Sequence, residues 1–333
     1  MRVLVTGGAG FIGSHFVQSL LGGDGPGPRP TAVTVLDKLT YAGNRANLAE
    51  VAGDPRLRCV WGDIRDAALL DRVVPGHDLV VNLAAETHVD RSISGPDAFV
   101  QTNVLGTHTL MRACLAARTP RVVHVSTDEV YGSIATGAWT EDAPLDPSSP
   151  YAAAKAAGDL IARSYARTEG LPVIISRCGN NYGPRQYPEK IIPLFVTRLL
   201  DGLPVPLYGD GGNVREWIHV RDHCRAVRTI AAAGEPGEVY HVGGGRELTN
   251  RELTDRLLRA CGAGADMVRH VTDRKGHDRR YRLDGSRLWA LGFTPAVPFE
   301  EGLAGTVRWF ARNRGWWEPL VERAAPRREE AAR

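Results

Sequence analysis

Thr6-Gly7-Gly8-Ala9-Gly10-Phe11-Ile12-Gly13 is the stretch from which the fold of this chain can be read. It follows the apolar run Arg2 to Val5, which has the character of a buried strand, and it opens a helix-period stretch from Phe11 to Leu21. Gly7, Gly10 and Gly13 form a GxxGxxG pattern at this strand-to-helix turn. Glycines there permit a tight turn and let backbone amides and the helix N-terminus approach a pyrophosphate. The pattern alone is weak evidence, but its position directly after the first strand makes it a dinucleotide-binding signature.

Outward from this turn, apolar runs recur at Ala32 to Leu36, Leu57 to Val60, Asp78 to Leu83, Arg121 to Val125 and Pro172 to Ser176. Helix-period stretches lie between most of them, at Ala67 to Val74, Asp97 to Ala117 and Tyr151 to Arg167. Alternation of this length predicts an α/β fold, a Rossmann-type doubly wound parallel sheet with right-handed crossovers. After about Asn180 the pattern changes to short elements rich in Pro and Gly, with helices expected near Ile191 to Leu200, Asp222 to Ala233, Asn250 to Cys261 and Glu301 to Asn313. Thr249 and Glu252 have capping-box spacing at one of these starts. The expected organisation is a dinucleotide-binding domain over residues 1–180 and a smaller α/β substrate lobe over 181–325, with some segments returning to the first sheet. The charged tail from Val321 to Arg333 is expected to fray, with 326–333 set outside the lobe.

Composition narrows the class. The 333 residues are 43% hydrophobic and carry a formal net charge of +3, which calls for neither nucleic acid nor a membrane surface as partner. Five scattered cysteines without a CxxC read as reduced cytosolic thiols, with no metal site. No apolar run approaches the ~20 residues of a membrane helix. A strand beginning at residue 2 leaves no room for a signal peptide, so a cytoplasmic protein is expected. Lysine occurs only at Lys38, Lys155, Lys190 and Lys275, so these are the positions at which to ask whether an ammonium is required.

The chemistry-bearing residues gather at strand ends, where ligands of open α/β sheets bind. Asp37 ends the second strand and would accept hydrogen bonds from ribose hydroxyls, favouring NAD over NADP, although Lys38 beside it weakens that preference. Asp63 ends the third strand and would either bond the adenine amino group or serve as a turn former. Leu83-Ala84-Ala85-Glu86-Thr87 offers small residues over which a cofactor can lie. Ser126-Thr127-Asp128-Glu129-Val130-Tyr131-Gly132 places a hydroxyl and two carboxylates after the fifth strand, the parts needed to eliminate water. Neighbours on a regular strand point to opposite faces, so both carboxylates reach one substrate only if the strand has ended by Asp128. Two adjacent carboxylates in a water-poor cleft cannot both ionise freely, which leaves open which one holds the proton. Tyr151 and Lys155 form YxxxK on one helix face, and the ammonium is expected to lower the tyrosine pKa and make it a base.

Together these motifs resemble the extended short-chain dehydrogenase/reductase superfamily. Four segments narrow the resemblance to its dTDP-glucose 4,6-dehydratases: Asp37 to Asn44, His88 to Ile93, Ser126 to Gly132 and Asn180 to Pro184. Superfamily members that only epimerise usually carry Ser-Ser where this chain has Thr127-Asp128-Glu129. The resemblance implies oxidation of a dTDP-hexose at C4, elimination across C5–C6 and return of hydride to C6, with Tyr151 as redox base, Asp128 as acid, Glu129 as base and a resident NAD. For that NAD it implies contacts from Phe11, Ile12, Lys38, Leu39, Thr40, Ile64, Leu83, Ala84, Ala85, Thr87, Thr102, Lys155 and Asn181. It places Thr87, Thr127 and Asn180 near the sugar, Pro206, Leu207 and Tyr208 near thymine, and Lys190, Ile191, Arg215, Asn250, Arg274, His277 and Asp278 around the nucleotide. Arg215 and Arg274 could instead be ordinary surface ion pairs. Arg185 departs from the family pattern, which usually has an aromatic there, and puts local substrate contacts in question. The resemblance also implies a homodimer pairing Asp97 to Ala117 and Tyr151 to Arg167. The rival readings are another NAD-dependent sugar-nucleotide dehydratase or 4-epimerase, and a silent NAD-binding scaffold.

Overall fold

The computed structural model describes residues 1–23 and 25–324. Twelve strands form among them: β1 (Arg2–Thr6), β2 (Ala32–Asp37), β3 (Leu57–Trp61), β4 (Leu79–Asn82), β5 (Val122–Thr127), β6 (Val173–Cys178), β7 (Asn180–Tyr182), β8 (Val205–Tyr208), β9 (Val214–His219), β10 (Val239–Val242), β11 (Arg246–Thr249) and β12 (Val268–Val271). Seven of them build the central sheet in the order β10-β6-β5-β4-β1-β2-β3, and every pairing is parallel. The strand order reverses beside β1, so a crevice opens at the carboxyl ends of β1 and β4.

Helices cover both faces, which is why the strands are nearly continuous apolar runs. Helices α1 (Phe11–Gly22), α2 (Ala67–Val73), α3 (Val89–Ser94), α4 (Asp97–Phe99), α5 (Thr107–Ala116), α6 (Pro150–Glu169), α7 (Ile191–Leu200) and α8 (Val220–Ala233) precede β10 in the chain. Phe16, Val17 and Leu20 of α1 and Val227 and Ile230 of α8 pack with Val3, Val5, Val33 and Val35 on one face. Leu70 of α2, Leu110 and Met111 of α5 and Ala162 of α6 pack with Leu4, Leu36 and Val80 on the other. Later in the chain come α9 (Asn250–Cys261), α10 (Ser286–Ala290), α11 (Phe299–Arg312) and α12 (Arg314–Ala324). Around α7, α9, α11 and α12 a separate core forms, with the three-stranded sheet β11-β9-β7 and the pair β12-β8 beside it.

After residue 180 the chain returns to the central sheet, where α8 covers one face and β10 pairs with β6 as a seventh strand. Three features depart from the sequence reading. Strand β5 continues past Val125 to Thr127, because β6 pairs with it as far as Thr127↔Cys178. The helix expected over Asp97 to Ala117 contains a π-helical segment, Val100–Gly106, between α4 and α5. Within that segment Asn103 turns its amide to the loop after β4, where Oδ1 accepts the Glu86 N–H and Nδ2 donates to the Glu86 carbonyl, both at 3.0 Å. Lastly, Val321 to Ala324 is not frayed but lies in α12. Trp317 of that helix is fully buried and its indole N–H donates to the Phe310 carbonyl at 2.8 Å. The indole of Trp316 donates to Asn47 Oδ1 at 2.9 Å, fastening α12 to the segment after β2. The expected frayed tail over 326–333 lies outside the described residues.

Because Trp317 anchors this end of the second core, Trp317→Ala is expected to cost about 3–5 kcal/mol. Urea unfolding of the purified protein would measure it, and a loss below about 1 kcal/mol would show that α12 is dispensable to the core.

Candidate active site

The turn after β1 is built for a close ligand. Gly7 has φ +68°, and a Cβ added there would sit 2.7 Å from the Ala84 backbone nitrogen. A Cβ at Gly13 would collide with the Gly7 carbonyl, so α1 can start this near the strand only with glycine. Helix α1 begins at Phe11, and Gly10 before it offers no side-chain cap, leaving the first N–H groups of the helix without one beside the crevice. Asp37 ends β2 with its carboxylate held by the Ala9 amide at 2.9 Å and the Leu39 amide at 2.7 Å. Burial pushes its pKa up, and those two amides oppose the shift.

These groups line a cavity of about 290 Å³ that runs along the carboxyl edge of the sheet. From the glycine turn it is lined by Gly7, Gly10, Phe11, Ile12 and Gly13; from the ends of β2 and β3 by Asp37, Lys38, Thr40, Asp63 and Ile64. The loop after β4 contributes Leu83, Ala84, Ala85 and Thr87, the π-helical segment contributes Thr102, and Asn181 comes from β7. Leu39, expected with them, is not on this wall; its backbone, at φ +56°, turns to bring its amide to Asp37. The residues fit a dinucleotide: a glycine cradle, an uncapped helix N-terminus and a carboxylate at the end of β2.

The far end of the same cavity holds Thr127, Asp128, Glu129, Tyr151 and Lys155. Strand β5 ends at Thr127, and Asp128–Tyr131 form one turn of 3₁₀ helix. Thr127 caps that turn, its Oγ1 accepting the Glu129 N–H at 3.3 Å. The pleat has therefore stopped before the two carboxylates, and both face the crevice. Asp128 is 2% exposed, and its Oδ2 has no hydrogen-bond partner. Burial first, then the Glu129 carboxylate, pushes its pKa well above the usual carboxylate range. Burial raises Glu129 too, but Arg274, Lys190 and Arg215 oppose that shift.

Tyr151 stands at the start of α6, with its amide donating to Ser92 Oγ at 3.1 Å and the Thr127 hydroxyl within reach of its phenol. Burial first, then the Glu129 carboxylate, pushes the Tyr151 phenol above its ordinary value, and the Thr127 hydroxyl opposes that shift. The Lys155 ammonium donates to the Val125 carbonyl at 2.7 Å and is not among the groups that set the phenol's direction. Burial lowers the Lys155 pKa, and Asp159, one helical turn further on, opposes that. Asp159 is fully buried and pairs with Arg177 at 2.8 Å.

A second cavity, of about 180 Å³, continues from the first into the later lobe. Glu129, Asn180 and Lys190 line both cavities. Ile191, Pro206, Leu207, Tyr208, Arg215, Asn250, Arg274 and His277 complete the expected set around the second. Asp278 does not line it. Its carbonyl instead accepts from Arg215 Nη2 at 2.9 Å, and its carboxylate accepts from Ser148 Oγ at 2.7 Å, so it holds Arg215 from behind. The Arg215 guanidinium also lies 4.2 Å from the centre of the Tyr281 ring. Neither Arg215 nor Arg274 is an ordinary surface pair: Arg215 is 5% exposed and Arg274 has a buried Nε without a partner.

The model of the GDP-mannose 4,6-dehydratase family matches residues 4–306. The chain belongs to this family. A curated relative, dTDP-glucose 4,6-dehydratase of Streptomyces niveus, is 59% identical over 96% of this chain and 96% of its own. The crystal structure of DesIV, a dTDP-glucose 4,6-dehydratase from Streptomyces venezuelae solved with NAD and TYD bound, superposes with a TM-score of 0.95 at 64% identity, covering 96% of this chain and all of that one. A UDP-glucose 4-epimerase of Thermus thermophilus with NAD shares the architecture at a TM-score of 0.85 and 35% identity, over 94% and 99% of the two chains.

Within this dehydratase family framework, two open points of the sequence are resolved by side-chain positions. Lys38 does not weaken the Asp37 reading, because its ammonium is paired with Asp63 Oδ2 at 2.9 Å. Asp63 also pairs with Arg65 at 2.8 Å, and these partners hold its pKa down to about 2. Arg185 makes no approach to either cavity. It points to Gln18 of α1 at 3.1 Å and to Glu50, so it ties the glycine-turn helix to the segment before α7.

Several residues of the site carried no role in the sequence reading. Arg91 of α3 lies over the Tyr41 ring at 4.1 Å and donates to Glu189 Oε2 at 3.1 Å, while Tyr41 donates to Glu189 Oε1 at 2.8 Å. Asp90 accepts from Tyr208 at 3.2 Å and sits 3.6 Å from Arg274. All of them fall in segments whose patterns were visible, but a pattern does not say which side chain faces which.

Since Asp63 occupies the Lys38 ammonium, Asp63→Asn should free it towards the ribose end of the groove. NADP is then expected to gain on NAD by about tenfold in relative affinity, a change of ~1.4 kcal/mol. Titration of both cofactors would measure the ratio, and an unchanged ratio would show that Lys38 does not reach a 2′-phosphate.

Proposed function

We propose that the protein is a dTDP-glucose 4,6-dehydratase, an NAD-dependent hydro-lyase that converts dTDP-glucose to dTDP-4-keto-6-deoxyglucose and water. The carrying observation is the pair at the end of β5, where two adjacent carboxylates share one cavity but have different neighbours. Bound NAD supplies the oxidation at C4 and the reduction at C6. Tyr151, its phenolate favoured against burial by the Thr127 hydroxyl and by the positive charge that bound NAD would bring, takes the C4 hydroxyl proton, and Lys155 would bond the nicotinamide ribose. The 4-keto group acidifies the C5 hydrogen. Asp128, kept protonated by burial and by its neighbour, donates its proton to the departing C6 hydroxyl. Glu129, its charge favoured by three cations, removes the C5 proton.

Division of labour between the lobes supports this reading. Residues 1–180 hold the cofactor, and most of residues 181–324 hold the sugar nucleotide, with α8 and β10 given back to the cofactor sheet. Lys190, Arg215 and Arg274 take the diphosphate, as guanidinium and ammonium groups suit its oxygens. Five free cysteines fit a reducing cytoplasm. The 4-epimerase reading explains the sheet and the Tyr151–Lys155 pair but gives no task to a buried carboxylic acid at Asp128.

Incubation with dTDP-glucose, without added NAD, is expected to give a product one water lighter by mass spectrometry. Asp128→Asn and Glu129→Gln should each slow its formation by about 10²–10⁴-fold. Recovery of an epimer, or full turnover by both variants, would refute the elimination.

The protein also acts as a homodimer in this proposal. Val100, Leu105 and Leu160 are more than half exposed, and they lie on the π-helical segment and on α6, which pack side by side. Leu105→Glu combined with Leu160→Glu is expected to halve the molar mass measured by light scattering. A monomeric parent protein would count against the pairing.

A further inference from the structure

Glu129 stands where the two cavities meet, lining both the cofactor groove and the nucleotide cavity. Lys190, Arg215 and Arg274 line the nucleotide cavity with it. Their hydrogen bonds leave donors to spare. Lys190 Nζ donates to the Thr87 carbonyl at 2.7 Å. Arg215 donates to the carbonyls of Val214 and Asp278 at 2.7 and 2.9 Å. Arg274 Nη1 is 3.6 Å from Asp90, while its Nε is buried without a partner. Two of the three cations are thus held by neutral carbonyls, so the Glu129 carboxylate has a share of their field.

The other titratable groups around Glu129 are Asp128 on the same turn, the Tyr151 phenol on α6, His88, Asp90, Glu189, His277 and Tyr281 on the wall of the nucleotide cavity, and Asp278 behind Arg215. Burial lowers the pKa of both imidazoles, so the opposition to the burial-driven rise at Glu129 comes from Arg274, Lys190 and Arg215.

Resting on the dTDP-hexose reading above, we infer that Glu129 and the substrate's diphosphate compete for these three cations, so that substrate binding itself makes Glu129 a stronger base. Before binding, the cations stabilise the carboxylate and offset part of the rise in proton affinity that burial imposes. A diphosphate seated on them brings negative charge that cancels their field. The carboxylate then loses its stabilisation at the moment the C5–H bond is placed beside it. A strong base thus exists in the site only when substrate is there to use it.

The competition has a thermodynamic consequence that needs no turnover. If the diphosphate raises the proton affinity of Glu129, protons are taken up on binding, and affinity falls as pH rises through the window between the free and bound values of the carboxyl. Burial already places the free value above that of an ordinary glutamate. The diphosphate's own ionisation near about pH 6 also contributes, so the measurement compares wild type with Glu129→Gln.

Calorimetric titration of the NAD-loaded protein with deoxythymidine diphosphate, in two buffers of different ionisation enthalpy, reads both affinity and proton uptake. Glu129→Gln is expected to bind roughly three- to tenfold more tightly than wild type, as for loss of one like charge. It should also lose the part of the proton uptake due to residue 129. Glu129→Ala should shift affinity in the same direction. Equal affinity and equal proton uptake in wild type and variants would overturn the inference while leaving the nucleotide site standing. Absence of binding to any of the three proteins would overturn the nucleotide reading and the inference with it.

Discussion

Strand β5 stops at Thr127, and the site follows from that stop. The threonine oxygen accepts the Glu129 amide and turns the chain into a single 3₁₀ turn. Had the strand continued, Asp128 and Glu129 would face opposite sides of the sheet. Pairing with β6 carries β5 just far enough to place Thr127 at the sheet edge, level with Cys178.

Beneath this edge lies a buried polar network that holds the redox helix in place. Lys155 bonds the Val125 carbonyl, Asp159 pairs with Arg177, and Tyr131, on the same turn as the carboxylates, bonds His241 at 2.6 Å. His241 belongs to β10, the strand that returns from the second half of the chain. The returning strand thus supports the turn that carries Asp128 and Glu129. Networks of this kind are costly when incomplete, so they hold one geometry.

Short helix α3 joins the two cavities. Ser92 accepts the Tyr151 amide, Arg91 binds Glu189 and covers Tyr41, and Asp90 meets Tyr208 and Arg274. Cofactor loop, redox helix and nucleotide cavity therefore share one six-residue element. Arg185 does a related job on the outer side, linking α1 to the turn before α7. Its departure from the family's aromatic put local substrate contacts in question; Arg185, at φ +63°, lines neither cavity.

The parallel sheet, the glycine turn and the placing of Asp37, Thr127, Asp128 and Glu129 at one sheet edge were legible from residue order, while Tyr151 and Lys155, on a helix, were read from their YxxxK spacing and the family resemblance. The reason is local: strand ends of an α/β sheet lie on one edge, so residues that end strands must meet there. Long-range partners decided the rest. The two carboxylates are separated by burial and by partners from other segments: Asp128 has the Glu129 carboxylate beside it with Arg215 as its opposing cation, whereas Glu129 is opposed by Arg274, Lys190 and Arg215. The direction of the Tyr151 shift depends on burial, the pairing of Lys38 with Asp63 on side-chain reach, and the seventh strand on a chain reversal after α8. Such properties are sums over neighbours in space, and spacing along a chain does not state who those neighbours are.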